Sequence, residues 1–428
     1  SIAGHVVHVN AVGAPTGPAQ ILLGTSHPAQ TTAFANAAFG NVLEMDDVHR
    51  EAILHPGPVV VPTALALATE RDASGAQLLE AIIRGYEVEI RIGRAMGPAH
   101  YRRFHPTATC GPFGAAAAAA SLLNLNHDQT VHALGNAGTQ AGGVWQCRAE
   151  PVMTKQLHTA RAAAQGLEAA QLAALGLTGP RHILEGPLGV FAGLAPDAKP
   201  DRVLADPDAP WLIHATSFKP WPACRHCHPA IDAALALRDR APPDAIAHVE
   251  ITTYADALTF CDRADPRTTL DAKFSLQHAV AVALAEGKPA LHHFDPAAFP
   301  RFATLRARVT PREDTRFTTA YPARFGAAVT LTLRDGTQHS ATIPDALGDP
   351  ENPLPESDLL AKARMLMEAT GVDAEPLIAA ALSLAEGALA RNLNEALPFS
   401  PSPADVSLPR GCGGERGGGT ATRETFAA

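Results

Sequence analysis

The segment NVLEMDDVHREAILHPGPVVVP, residues 41–62, constrains this chain more than any other stretch. It sets Glu44, Asp46, Asp47, His49, Glu51 and His55 between two apolar runs. Asn36 to Glu44 reads as a helix, and Gly57-Pro58 followed by Val59-Val60-Val61 begins a second buried element. Carboxylates and imidazoles held between buried elements must be paired or hydrogen-bonded, or their pKa values move. Such a cluster suits general acid/base work, in which titratable groups sit in a cleft. The bland alternative is a solvated charged loop, or a helix start capped by Asp47.

What could shelter the segment is set by composition. The 428 residues are long enough for a large core and two domains. Aromatics are only 5% while alanine runs recur, which favours helices packed closely through small side chains. The net charge of −9 gives no electrostatic reason to bind nucleic acid or an anionic membrane. A small anionic substrate therefore requires a local basic pocket. Six cysteines make no disulfide framework and fit a reducing, cytoplasmic setting. The first residues, SIAGHVVHVNAVGAP, lack the basic start and apolar centre of a signal peptide. The longest nearly uncharged run, Gly111 to Asn126, suits a buried helix and is too short for a membrane span.

Taken in order, Thr32 to Phe39 and Thr63 to Thr69 read as helical. Ser74 to Met96 is the clearest amphipathic helix, with Leu78, Ile82, Tyr86 and Ile90 at helical spacing and Ser74 as N-cap. His105-Pro106 falls in a loop, followed by helices over Gly114 to Leu123, His127 to Ala141 and Lys155 to Leu175, the last stopped by Gly176. Beyond Pro196 the texture changes. Ile246 to Tyr254 alternates as a strand, and Ala327 to Arg334 with Thr337 to Ile343 forms a hairpin about Asp335-Gly336. Helices over Ala230 to Arg240 and Phe274 to Glu286 accompany them. Glu356 to Leu393 returns to helix and is expected to pack back on the first part. The expected division is therefore a helical domain at 1–204, an α+β domain at 205–345, helical return at 346–400 and a disordered Gly-rich tail at 401–428.

Three further stretches bear chemistry. His105 lies beside Arg102 and Arg103 ahead of a helix, where it suits a base or ligand, or merely a surface connector. Lys155 and His158 open a helix with few other charges; a cation there opposes the helix dipole unless paired. KPWPACRHCHP gathers Lys219, Cys224, Arg225, His226, Cys227 and His228. No second Cys/His pair accompanies its C-x-x-C, so a metal reading is disfavoured and an anion-holding loop is preferred, with Arg225 as a bidentate fork. No G-x-G-x-x-G or P-loop supports nucleotide binding.

Together, LEMDDVHREAILHPG (43–57), FHPTATCGPFGAAAAAA (104–120), MTKQLHTARAAAQGLEAA (153–170), FKPWPACRHCHPAIDAAL (218–235), AKFSLQHAVAVAL (272–284) and ENPL (351–354) resemble the MmgE/PrpD family. That family includes 2-methylcitrate dehydratase, cis-aconitate decarboxylase and iminodisuccinate epimerase. The resemblance implies a mostly α fold: a large helical domain from both chain ends and a smaller inserted α+β lid. It also implies a homodimer and metal-free, cofactor-free chemistry on small polycarboxylates. Carried over, the catalytic set is His105, His55, Asp46, Asp47, His49 and Lys155, with Lys219, Arg225, Glu44 and His158 holding substrate. Glu44 stands where the family often has Asp, and Ala160 where its HxGxAA pattern has Gly.

These residues suit removal of a proton α to a carboxylate, with cations stabilising the charge that develops and a histidine moving the proton. The expected reaction is a 2-methylcitrate dehydratase-like elimination, with decarboxylation and epimerisation as alternatives. A silent carboxylate-binding protein is the alternative of another class.

Overall fold

The computed structural model describes residues 15–21, 26–150, 152–368 and 371–397. The Gly-rich tail expected to be disordered lies outside them. The fold is mostly α. The longer helices of the first half are α1 (Ala29–Gly40), α2 (Gly57–Glu70), α3 (Gly75–Met96), α4 (Pro106–Leu122), α5 (His127–Gly138) and α6 (Thr154–Ala174). A capping box starts α3: Ser74 Oγ accepts from Gln77 N at 3.2 Å, and Gln77 Oε1 accepts from Ser74 N at 2.9 Å. Gly176, at φ +93°, lies just beyond the end of α6.

Two boundaries near the site depart from the sequence reading. Helix α1 stops at Gly40 and not at Glu44, and Glu44 itself takes a left-handed φ of 56°. Helix α4 starts at Pro106, eight residues before the expected Gly114, with His105 as its N-cap residue. Gly111 and Gly114 do not break α4, because close packing demands them. A Cβ on Gly114 would lie 3.0 Å from the carbonyl oxygen of Gly85 in α3, and one on Gly111 would lie 2.9 Å from the Ala162 Cβ in α6. Burial against both neighbours outweighs the low intrinsic helix propensity of glycine.

The first apolar core gathers Val60, Leu67, Leu78, Ile90, Phe113 and Leu167, and residues from the end of the chain, Leu384 and Ala390, complete it. The expected long C-terminal helix is instead three: α9 (Glu356–Glu368), α10 (Glu375–Ser383) and α11 (Ala390–Glu395). Gly371 at φ +72° and Gly387 at φ +99° lie in the breaks. A second core, with Ile231, Val249, Ile251, Leu276, Val282 and Val329, belongs to the middle of the chain. There α7 (His228–Leu237) and α8 (Leu276–Glu286) accompany a four-stranded sheet of order β4-β3-β5-β6, in which β3 is Ile246–Thr253, β4 Val309–Glu313, β5 Ala327–Leu333 and β6 Gln338–Ile343. Strand β4, parallel to β3, was not expected. It is short and polar and carries Pro311, which an edge strand tolerates.

A small ladder ties the two cores together. Strand β1 (Val48–His49) pairs antiparallel with β2 (Thr216–Ser217), matching Val48 to Ser217 and His49 to Thr216. The carboxylates before β1 are thereby brought against Lys219, just past β2. Among the described residues, no helix is long and apolar enough to cross a membrane.

Glu89 of α3 is fully buried, and neither carboxyl oxygen has a hydrogen-bond partner. Burial, with the Asp47 charge adding to it, pushes its pKa well above the usual range. The folded protein keeps this proton, whereas the unfolded chain releases it above about pH 4.3. Stability is thus lost as pH rises from there toward the folded value. Glu89→Gln should flatten the fall in thermal midpoint between pH 5 and 8. An unchanged slope in a melting series would contradict a neutral Glu89.

Candidate active site

The turn between α1 and β1 projects its acids inward. Asn41 Nδ2 donates to Asp46 Oδ2 at 2.6 Å. Lys155 Nζ donates to Glu44 Oε1 at 2.6 Å from the first turn of α6. Lys219 Nζ lies 3.3 Å from Asp46 Oδ1 and 3.7 Å from Glu44 Oε2, and the lysine is wholly buried. Two ammonium groups and two carboxylates therefore share one desolvated space.

Burial alone would raise the Glu44 carboxyl, but Lys155 and Lys219 outweigh it and hold it below its ordinary value. Burial is likewise overcome at Asp46, where Lys219 and His55 hold the carboxyl well below its usual range. Lys155 is half-buried, which would lower its pKa, yet Glu44 and Asp46 push it up. Glu44, Asp46 and Lys155 are thus charged at neutral pH, each favoured by the opposite charges beside it.

His55 faces the same space. Its Nδ1 lies 2.6 Å from the Asp47 carbonyl oxygen and 3.1 Å from Asp46 Oδ2. A carbonyl only accepts, so Nδ1 carries a proton, and Nε2 is the ring nitrogen these contacts leave free. The Asp47 side chain turns to other work: its oxygens accept from Gly57 N at 2.9 Å and Tyr86 OH at 2.8 Å. Burial raises its pKa, despite the Tyr86 bond.

His105 ends the loop before α4, and its ring packs 4.4 Å, centroid to centroid, from Trp145. Its Nδ1 shares a hydrogen bond with His158 Nδ1 at 3.2 Å, and its buried Nε2 has no partner. The His55 and His105 ring centroids are 6.5 Å apart. Burial, then the charge of Lys155, pushes both His105 and His158 down, so both rings are neutral.

Glu44, Asp46, His55, His105, Lys155, His158 and Lys219 thus come together, with Asp47 immediately behind His55. Two expected members do not join them. His49 points to the other side of β1, where its Nδ1 accepts from Ala52 N at 3.2 Å. Burial, with Arg50 and Arg94 nearby, pushes its imidazole down to about 3. The turn after β1 engages the ring through Ala52 N, so sharing a segment with Asp46 does not bring His49 to the cluster.

Arg225 is a structural clasp instead of a free clamp. Its Nη2 donates to Asp349 Oδ1 at 2.5 Å, and its Nη1 donates to the Leu347 carbonyl at 3.0 Å. Asp349 also accepts from Ser217 Oγ and from Ala346 N. Arg225→Ala would leave the fully buried Asp349 with Arg50, 3.4 Å from its Oδ2, as its remaining cation, and should cost about 3 kcal/mol of stability. Urea denaturation measures this; a midpoint equal to wild type would contradict the clasp.

Three polar groups escaped the sequence reading: Asn41, Lys273, whose Nζ donates to Leu43 O at 2.9 Å, and Lys362, whose Nζ donates to Met45 O at 2.7 Å. The one signal for Lys273 is its place as the single charge between Ala272 and a long apolar run. Cys224, Cys227 and Cys261 are buried free thiols with raised pKa values, caused chiefly by burial. Among the described residues, no three His, Cys, Asp or Glu side chains are arranged to hold a metal ion.

A helical body, a smaller α+β unit and a buried lysine–carboxylate–histidine cluster between them frame the candidate active site. Comparison with known sequences gives the family. The MmgE/PrpD N-terminal domain matches residues 4–203 and the MmgE/PrpD C-terminal domain matches residues 221–386. The chain belongs to the MmgE/PrpD family, and it is a lyase. Cis-aconitate decarboxylase of Mus musculus is 30% identical over 360 residues, covering 79% of this chain and 71% of its own length. Cis-aconitate decarboxylase of Aspergillus terreus is 28% identical over 362 residues, covering 78% and 74%. The 2-methylcitrate dehydratase-like protein oryR of Aspergillus oryzae is 27% identical over 166 residues, covering 35% and 34%.

Proposed function

We propose that the protein is a cofactor-independent decarboxylase of a small unsaturated tricarboxylate of the cis-aconitate type. The observation that carries this reading is the extent of the likeness. Decarboxylase relatives align along 78–79% of the chain, while the dehydratase-like relative aligns along 35%. The dehydratase favoured by the sequence reading thereby becomes the second choice.

In such a reaction the bond from the methylene carbon to its carboxylate breaks. The released pair forms a new methylene double bond, and the former double bond takes a proton at its outer carbon. CO₂ and 2-methylidenebutanedioate result. Lys155 and Lys219 would stabilise charge spreading onto the remaining carboxylates, a contribution strongest in a dry site. His55 would carry the proton on Nε2, with Asp46, 3.1 Å from Nδ1, neutralising the imidazolium. With His158 donating to its Nδ1, His105 would present Nε2–H to a substrate carboxylate.

Purified protein given cis-aconitate in D₂O should release one CO₂ per product and place one deuterium at the newly protonated carbon. Higher kcat/KM for water loss from 2-methylcitrate would return the reading to a dehydratase.

A further inference from the structure

Glu44 does the most delicate electrostatic task in the cluster, yet its backbone is the least natural. A left-handed conformation costs a non-glycine residue about 1–2 kcal/mol. Such a conformation persists only where its surroundings over-determine it. Here the carbonyls on either side of Glu44 are each held by an ammonium group: Leu43 O by Lys273 and Met45 O by Lys362. The donors are 230 and 317 residues away in sequence. Lys273 ends a short helix (Thr269–Lys273) of the middle unit, and Lys362 projects from α9. Lys273 is only 4% exposed. Among the described residues, neither lysine forms an ion pair with a carboxylate; each spends its charge on a carbonyl.

We propose that Lys273 and Lys362 are positioning residues that clamp the backbone on both sides of Glu44, so that its carboxylate stays between Lys155 and Lys219. The inference rests on the reading of this cluster as the active site. Without the clamp, Glu44 relaxes toward an ordinary φ and its carboxylate leaves Lys155. The two substrate-facing lysines then lose their shared counter-charge and repel each other. Because the clamp comes from the middle unit and from α9, the charge pattern is complete only when both are seated on the first helices.

The groups around the clamp make it sensitive to alkali. Burial, with Lys219 and Arg225 acting in the same sense and Asp46 and Asp47 opposing, lowers the Lys362 pKa to about 8. Burial also lowers Lys273, with Lys219 acting in the same sense and Glu44, Asp295 and Asp46 opposing. A neutral amine keeps an N–H but loses the strength of a charge-assisted bond.

The test uses the intact protein with Lys273→Met, Lys362→Met and Lys362→Arg. Reductive methylation followed by mass spectrometry gives the labelling of Lys155 relative to exposed Lys288. The ratio should rise in both Met variants, and kcat on cis-aconitate should fall about 10–100-fold, as when a supporting contact is lost. From pH 7 to 9 the wild-type ratio should climb, whereas Lys362→Arg, which stays charged, should remain flat with near-normal kcat. A ratio unchanged in both Met variants overturns the clamp. Should those variants fail to fold, a climb in Lys362→Arg equal to wild type overturns it instead. A raised ratio with no turnover of cis-aconitate by any form, wild type included, supports the clamp and rejects the proposed reaction.

Discussion

Replacing His55 by Gln should lower kcat about a hundredfold to ten-thousandfold, the usual contribution of a positioned acid/base group. The geometry makes the substitution informative. Gln can still donate a hydrogen bond toward the Asp47 carbonyl, which His55 Nδ1 reaches at 2.6 Å, so the loop keeps its shape. What is removed is Nε2, the atom left free to hold a proton. In D₂O, deuterium entry into product should fall in step with kcat, while KM stays within a few-fold because Lys155 and Lys219 remain. His105→Gln should behave differently. Its Nε2 is buried and its ring is neutral, so it is cast as a hydrogen-bond donor to substrate, and its loss should appear largely in KM. If His105→Gln abolishes deuterium entry while His55→Gln retains it, the two roles are reversed.

The residues of this site were unequally legible, for physical reasons. Glu44, Asp46 and His55 lie within one segment, and the cost of burying them made that segment conspicuous before any fold was known. Lys155 was marked by a local conflict, a cation in the first turn of a helix, and the structure supplies the Glu44 carboxylate that resolves it. Arg225 drew attention instead as a fork in a loop suited to holding an anion, and the structure gives that fork to the protein itself. Its carboxylate partner is Asp349, 124 residues onward, and no local pattern distinguishes a guanidinium held by its own protein from one waiting for a ligand. Lys362 sits on a helix of ordinary amphipathic texture, so only tertiary packing reveals that its ammonium reaches Met45. His49 shows the opposite failure: proximity in sequence suggested a shared cavity, and the turn after β1 engages its ring instead.

The fold shows a similar division. Helix α3 was readable because its apolar period and its capping box agree. Helix α4 was half-read, since Gly111 and Pro112 resemble breakers until the helices that press against them are in place. Sheet edge β4 was missed because Pro311, Arg312 and Glu313 argue locally against a strand, and its pairing to β3 is a long-range contact.

The severest stability effect is expected at Lys219. Lys219→Met keeps most of the aliphatic volume and removes the ammonium, leaving Asp46 and Glu44 buried with a counter-charge missing. Breaking a buried pair in this way costs about 3–5 kcal/mol. The pH dependence distinguishes this cause from poor packing. In the wild type, the depressed Asp46 pKa contributes stability that is present above about pH 4, its unfolded value, and is lost as pH falls through the folded value. In the variant burial is no longer opposed by Lys219 and lifts the carboxyl, so the deficit should be largest near pH 7 and narrow toward pH 4, as the variant's folded Asp46 takes up a proton that the wild type's does not. A packing defect would leave a constant deficit across the same range. Activity should fall further than stability alone explains, because the lost cation also faces the developing charge. A kcat/KM about a thousandfold lower corresponds to roughly 4 kcal/mol of transition-state stabilisation. Chemical denaturation at pH 4, 5.5 and 7 beside steady-state kinetics at pH 7 measures both quantities. Equal midpoints for variant and wild type at pH 7 would mean that Lys219 does not hold the carboxylates charged.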